Sequence, residues 1–349
     1  MNLLIVTQKV NRKDPILGFF HAWIQKFSEH FEKVTVICLE KGDFDLPKNV
    51  SVFSLGKEHN SSRWFRLTEF YKISWKEKNN YDVVFVHMNQ VYIVLMGIFW
   101  RMWRKKMALW YTHKSVNFSL RIAEKIVNII FTASEESFRL NSKKKIVTGH
   151  GIDTDIFVPD YSKKKSNRLE VLSVGRISHT KGLDLCVRSL YRLKNLQVPF
   201  KFSIVGEPIT KNDFRYLVDL QKLIKQKDLV KDTEFVGSIS NLDSVKYFQA
   251  ADVFVHPSDT GSLDKVILES MACGTPVVSS NDAAIPIVSK FNSNSAFKKG
   301  DEKDLTDKLY YFYKMKDNLH YLQEQIRQEV VGRHNLDKLI GRISEKLIV

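Results

Sequence analysis

The chain of 349 residues carries 54 Lys and Arg against 39 Asp and Glu, a formal net charge of +15, with 44% hydrophobic and 27% charged residues. That balance excludes a disordered or fibrous chain, and the length exceeds one ordinary core, so a folded protein of two domains is expected. So large an excess of positive charge implies an anionic partner: nucleic acid, an anionic bilayer surface or a phosphorylated substrate.

The opening MNLLIVTQKV has too short an apolar run for a signal peptide and leads straight into a strand. Strand candidates follow in NLLIVTQ, KVTVICLE, VSVFSLG, YDVVFVHM, KMALWYTH, IIFTAS and KIVTGHG, and helical stretches separate them. In one of these, GFFHAWIQKFSEHF, the apolar residues Phe19, Phe20, Trp23, Ile24 and Phe27 return every three or four positions. The stretch VYIVLMGIFW falls short of the roughly 20 residues that a membrane span needs. It runs on into IFWRMWRKKMALWY, where Trp100, Trp103 and Trp110 interleave with Arg101, Arg104, Lys105 and Lys106. That composition suits an anionic membrane surface or nucleic acid, with SSRWFRLTEFYKISWKEK as a second contributor, and it equally suits a packed helix whose lysines reach water. Cys38, Cys186 and Cys273 lie far apart in apolar segments, which points to reduced, buried thiols and a cytoplasmic setting rather than to disulfides or a metal site.

The segment FVPDYSKKKSNRLE has a proline, a lysine run and no apolar periodicity, and reads as a linker over residues 158–168 between a domain at 1–157 and another at 169–330. The second half restarts the alternation with LEVLSVGRI, FKFSIVGE, TEFVGSI, DVFVHPS and PVVSSN. Residues 331–349 are expected to be a helix that packs back across the domains. The fold class is α/β, with two doubly wound, Rossmann-like domains facing a central cleft. Ligands of such sheets bind beyond the carboxyl ends of the strands, so the chemistry is sought in the loops there.

In VGRISHTKG, after the first strand of the second half, Gly175 lets the chain turn close to a ligand while Arg176 and Lys181 converge on an anion; a diphosphate would suit. A merely solvated basic loop would have the same spacing. VGEP offers another glycine turn beside Glu207. In HPSDTGSLDKVILESMACG, backbone amides around Thr260, Gly261 and Ser262 are placed to hold sugar hydroxyls or phosphate oxygens. Glu269 falls within the helix that follows, and a carboxylate there needs a partner: a lysine or arginine of the same domain, or the two hydroxyls of a ribose.

GRISHTKG followed by HPSDTGSLDKVILESMACGTPVV resembles the donor-binding half of the family 4 glycosyltransferases, enzymes of GT-B fold that use nucleotide sugars and retain anomeric configuration. The resemblance implies that Arg176 and Lys181 contact the donor diphosphate and stabilise its departure, and that Glu269 holds the ribose. The family's Glu-x7-Glu motif is broken: its first glutamate is replaced by Gly261, with Asp259 and Asp264 nearby. In the first half the resemblance favours His113, rather than His87, as the histidine beside the transferred sugar, and Gly18 as part of a glycine loop under the donor phosphates. It also assigns Ser134, Glu135, His150, Gly151 and Asp153 to the region between the domains. The implied activity is transfer of a sugar from a nucleotide diphosphate donor to a glycan or lipid-linked acceptor in cell-envelope polysaccharide or glycolipid synthesis, at the inner face of the cytoplasmic membrane. No cofactor or metal is demanded. The rivals are another GT-B enzyme, such as a nucleotide-sugar epimerase, and a basic nucleic-acid-binding protein.

Overall fold

The computed structural model describes residues 1–162, 166–258 and 261–349, and all structural statements concern those residues. The chain forms two compact units, one of Met1–Gly151 with Leu336–Val349 and the other of Ile152–Asn335.

The first unit contains β1 (Asn2–Val10), α1 (Phe19–Ser28), β2 (Lys33–Lys41), β3 (Val50–Ser54), α2 (Arg63–Lys76), β4 (Val83–His87), α3 (Val91–Met102), β5 (Lys106–Trp110), α4 (Phe118–Ile126), β6 (Ile129–Thr132) and β7 (Lys145–Val147). Its strands form one sheet in the order β3-β2-β1-β4-β5-β6-β7, every pairing parallel. The pleat sorts the side chains: Leu3, Ile5, Ala108 and Trp110 join one apolar cluster, while Leu4, Val6, Met107 and Leu109 join another. Burial on both faces is why these strands read as continuous apolar runs. Helices begin where side chains can cap them: Ser62 accepts from the Phe65 N–H at 3.1 Å and Asn117 from the Leu120 N–H at 2.9 Å.

The second unit contains β8 (Leu169–Val174), α5 (Leu183–Asn195), β9 (Phe200–Val205), α6 (Lys211–Gln226), β10 (Thr233–Gly237), α7 (Asn241–Ala250), β11 (Val253–His256), α8 (Lys265–Ala272), β12 (Val277–Ser279), α9 (Ile285–Val288), α10 (Glu302–Met315) and α11 (His320–Arg333). Its parallel sheet runs β10-β9-β8-β11-β12, the same order as the first five strands of the other unit. In each sheet the order reverses beside the first strand, between β1 and β4 and between β8 and β11, and such a switch point opens a crevice at the strand ends.

The unit boundary falls at Gly151–Ile152, ahead of the expected 157–158. The Ile152 N–H donates to the His334 carbonyl at 2.7 Å and Ile152 bridges Asn335, so both crossings are stitched together within the second unit. Lys163, Lys164 and Lys165 of the expected linker lie outside the described residues. The expected C-terminal helix begins at Leu336, after α11 ends at Arg333, and this α12 (Leu336–Ile348) buries Leu336, Leu339, Ile340, Ile343 and Leu347 in the α1 cluster of the first unit.

The Trp100–Trp110 stretch is not an amphipathic surface helix. Trp100 is fully buried, donating its indole N–H to the Tyr81 hydroxyl at 3.1 Å, and Trp110 packs edge-on against Trp23 at 4.8 Å. Lys105 donates to the Tyr81 carbonyl at 2.5 Å and Lys106 to the Lys346 carbonyl at 2.8 Å. The aromatic surface lies instead on α2 and α3, where Trp64 is 77% and Met102 71% exposed and Phe65, Trp75 and Ile98 are exposed as well. Among the described residues no helix is long and apolar enough to cross a membrane.

Candidate functional site

The loops leaving β8 and β9 touch through bare backbone. Gly206 sits at φ +134°, and a Cβ there would lie 2.0 Å from the Gly175 carbonyl oxygen, an overlap that no side chain can occupy. The two loops are tied by the Gly175 N–H to the Val205 carbonyl at 2.9 Å and by the Ile177 N–H to the Glu207 carbonyl at 3.1 Å. Glu207 thus contributes backbone to the loop, while the residue as a whole is exposed. Beyond Gly175 the chain makes a 3₁₀ turn at His179–Lys181, and the Lys181 stem lies over Gly175, its Cε 3.4 Å from where a Cβ would stand.

Lys181 reaches across the switch point to the N-cap of α8, where its Nζ lies 2.5 Å from Oδ2 of Asp264. The same oxygen lies 2.9 Å from Nε2 of His256, the last residue of β11, whose Nδ1 lies 3.3 Å from the Ser279 hydroxyl. Burial alone would raise the Asp264 carboxyl, but the His256 hydrogen bond and the Lys181 charge hold it well below the usual carboxylate range. Burial dominates at His256 and lowers its imidazole, with Asp264 opposing the shift.

One turn along α8, Glu269 is buried, and its Oε1 accepts from the Asn241 amide at 3.0 Å and lies 3.6 Å from the Lys265 ammonium. The expected lysine partner is therefore present, four residues back on the same helix. Both contacts fall on Oε1. Burial lowers the Lys265 ammonium while Glu269 opposes that shift. Arg176 is half-exposed with its Nε 3.8 Å from Oδ2 of Asp213, a carboxylate that also caps α6 through the Thr210 N–H at 2.9 Å. Gly261 takes the left-handed conformation at φ +64°, and the Ser262 carbonyl accepts from the Asn281 amide at 3.0 Å. Thr260 and Asp259 lie outside the described residues. Gly175, Arg176, Lys181, Glu207, Gly261, Ser262 and Glu269 thus all sit on the loops, or on the helix after them, that leave the carboxyl ends of β8, β9 and β11.

In the first unit Gly18 closes the loop after β1, where a Cβ would meet the Asp14 carbonyl at 2.4 Å. Oδ1 of Asp14 shapes that loop by accepting from the Ile16 and Leu17 N–H groups at 2.9 and 2.7 Å. His113 lies exposed after β5, its Nδ1 accepting from the Ser115 N–H at 3.1 Å. His87 is a packing residue, buried and stacked on Phe20 at 4.0 Å. Ser134 bonds Ser137 at 2.9 Å and Glu135 pairs with Lys145. His150 is buried, and Gly151 admits Leu336 and Leu339 of α12. In the second unit Asp153 caps its own turn through the Asp155 and Ile156 N–H groups.

Residues 157–329 match the model of the family described as glycosyl transferases group 1. Over that segment the chain is similar to the group 1 glycosyl transferases. It is 24% identical over 201 residues to the phosphatidylinositol N-acetylglucosaminyltransferase gpi3 subunit of Schizosaccharomyces pombe, a match covering 57% of this chain and 42% of the relative. It is 29% identical over 157 residues to the amylovoran biosynthesis glycosyltransferase AmsK of Erwinia amylovora, covering 43% of this chain and 37% of that one. The chain thus spans less than half the length of these curated relatives. Among solved structures, Anabaena Alr3699/HepE in complex with UDP superposes with a TM-score of 0.79 at 18% identity, covering 100% of both chains. That likeness gives the fold, GT-B with two Rossmann-like α/β domains.

Within the matched segment several contacts are not legible in the sequence. Gly206 had the signal of a glycine ending a strand, but its need to pass under Gly175 appears only when β8 and β9 lie side by side. Asn241 and Lys265 partner Glu269, and His256 partners Asp264, through contacts that join separate elements or separate turns. Asp264, in sequence only a neighbour of Gly261, is the partner of Lys181.

Proposed function

We propose that the protein transfers a sugar from a nucleoside diphosphate donor to a hydroxyl of a glycan or lipid-linked acceptor in envelope polysaccharide or glycolipid synthesis, with retention at the anomeric carbon. The observation that carries this reading is the convergence, inside the matched segment, of Lys181 and the Gly175–Gly206 contact on one side of the β8/β11 switch point with Glu269 of α8 on the other. Oε1 of Glu269 is fixed by Asn241 and Lys265, which leaves Oε2 to accept from the two ribose hydroxyls. Lys181 and Arg176 face the diphosphate. As the anomeric C–O bond to phosphate breaks, the acceptor oxygen bonds to the same face and its proton passes to the leaving diphosphate, whose growing charge the two cations stabilise. In this scheme the side-chain cations supply that charge and no metal is assigned a role. His113 is assigned to the transferred sugar, Gly18 to the phosphate side of the first unit, and the amides of Thr260, Gly261 and Ser262 to the donor. The solved neighbour binds UDP, which makes uracil the first base to test.

The exposed face of α2 and α3 is proposed to meet an anionic bilayer, since Trp64, Phe65, Ile98 and Met102 lie beside exposed Arg63, Lys72, Lys76, Arg101 and Arg104. On this reading the enzyme works at the cytoplasmic face of the membrane. A thermal-shift screen of UDP, GDP, ADP, TDP and their sugars tests the donor assignment. One nucleoside diphosphate and its sugar should raise the melting temperature, and if none does the donor site is misassigned.

A further inference from the structure

The three cations of the proposed donor site each meet a carboxylate of the same unit: Arg176 with Asp213, Lys181 with Asp264, and Lys265 with Glu269. On a chain whose formal charge is +15, this pocket is balanced. Asp264 is the most committed of the three carboxylates. Its side chain is 20% exposed, Lys181 is 19% exposed, and one oxygen serves both Lys181 and the buried His256. His256 is anchored in turn by Ser279, which donates to the His256 carbonyl at 2.9 Å. The carboxylate therefore stays with the ammonium as part of the folded sheet edge.

A diphosphate approaching Lys181 meets an ammonium already satisfied by a fixed negative charge. Like charges a few ångströms apart in a partly buried site oppose each other strongly, and the opposition grows with each charge on the ligand. We propose that Asp264 is the built-in counter-ion of the donor site, sharing Lys181 with the diphosphate so that the nucleoside diphosphate product is held weakly enough to leave. The proposal rests on the donor-site reading given above, and it adds that the site is tempered by its own carboxylate rather than tuned for maximal grip.

Calorimetric titration of Asp264→Asn with UDP, GDP, ADP and TDP, and with the corresponding nucleosides, tests it. Asparagine keeps the shape and an oxygen for Lys181 while removing the charge. The nucleoside diphosphate that binds wild type should bind the variant about tenfold more tightly and dissociate more slowly, with its nucleoside unchanged. Unchanged or weaker diphosphate binding would overturn the proposal, weaker binding marking Asp264 as a positioning residue for Lys181. Asp264→Ser, which keeps an N-cap oxygen for α8, answers the same question should the asparagine variant fail to fold. Lys181→Ala separates the two levels: if it leaves diphosphate binding intact the donor site itself is misassigned, whereas a loss there with no gain in Asp264→Asn removes the counter-ion alone.

Discussion

His87 closes β4 and His256 closes β11, equivalent positions in two sheets of the same strand order. Both rings are buried, yet they have opposite surroundings. His87 lies face to face with Phe20, with Phe19 and Trp23 edge-on or tilted beside it and Thr7 as a polar neighbour at 3.3 Å. His256 meets Asp264 and, through it, Lys181. The strand order places a crevice at both points, and the residue that closes the inner strand there meets aromatic rings in the first unit and an ion pair in the second. Topology thus fixes where a ligand could bind, and the side chains decide at which of the two points a diphosphate would be met.

The sharpest way to test that contrast is to disturb the aromatic switch point. Trp23→Ala removes a side chain buried between Phe20 and Trp110 and should cost about 3–5 kcal/mol of stability, read as a lowered denaturant midpoint. Nucleoside diphosphate affinity of the folded variant should be unchanged, and a loss of affinity would show that the first switch point also serves the donor.

At the charged switch point Glu269→Ala should weaken nucleotide binding by roughly 2–4 kcal/mol, with the fold intact, as two charge-assisted hydrogen bonds to ribose are lost. Titration with the nucleoside diphosphate that the screen identifies measures it. Unfolding of the variant would show that Glu269 serves chiefly as the partner of Lys265 and Asn241. Lys181→Ala should cost about 2 kcal/mol of diphosphate affinity, and Arg176→Ala, half-exposed and loosely paired, about 1 kcal/mol. Neither should alter nucleoside affinity, and an equal loss for nucleoside and diphosphate would break their assignment to phosphate.

The contrast also explains what could be read from the sequence. Alternating apolar runs revealed both sheets, because strands buried on both faces and helices buried on one leave unmistakable periods. Gly175, Arg176, Lys181 and Glu269 were legible because they cluster on two short segments with the right residue types. The pairing of Lys181 with Asp264 was hidden, since 83 residues separate them and only the adjacency of β8 and β11 joins them. The burial of Trp100 and Trp110 was hidden for a different reason. A tryptophan beside a lysine reads alike on a surface and in a core until its strand or helix is placed, and here Lys105 and Lys106 spend their ammonium groups on backbone carbonyls at the unit's edge.

The smallest effect per residue is expected at the exposed residues of α2 and α3, to which the burial of Trp100 and Trp110 narrows the membrane hypothesis. If α2 and α3 rest on anionic headgroups, each exposed cation there adds about 1 kcal/mol, screened as salt rises. Replacing Arg63, Arg101 and Arg104 with glutamine, or Trp64 and Phe65 with alanine, should then reduce co-sedimentation with vesicles containing anionic lipid. Replacing Lys105 and Lys106 should reduce it less, because both ammonium groups are held against backbone carbonyls. Neutral vesicles should bind poorly throughout, and nucleotide affinity should be the same in every variant because the donor loops belong to the other unit. Wild type that stays in the supernatant at low salt would end the idea for this face, and an effect confined to the Lys105 and Lys106 variant would move the contact to those two lysines.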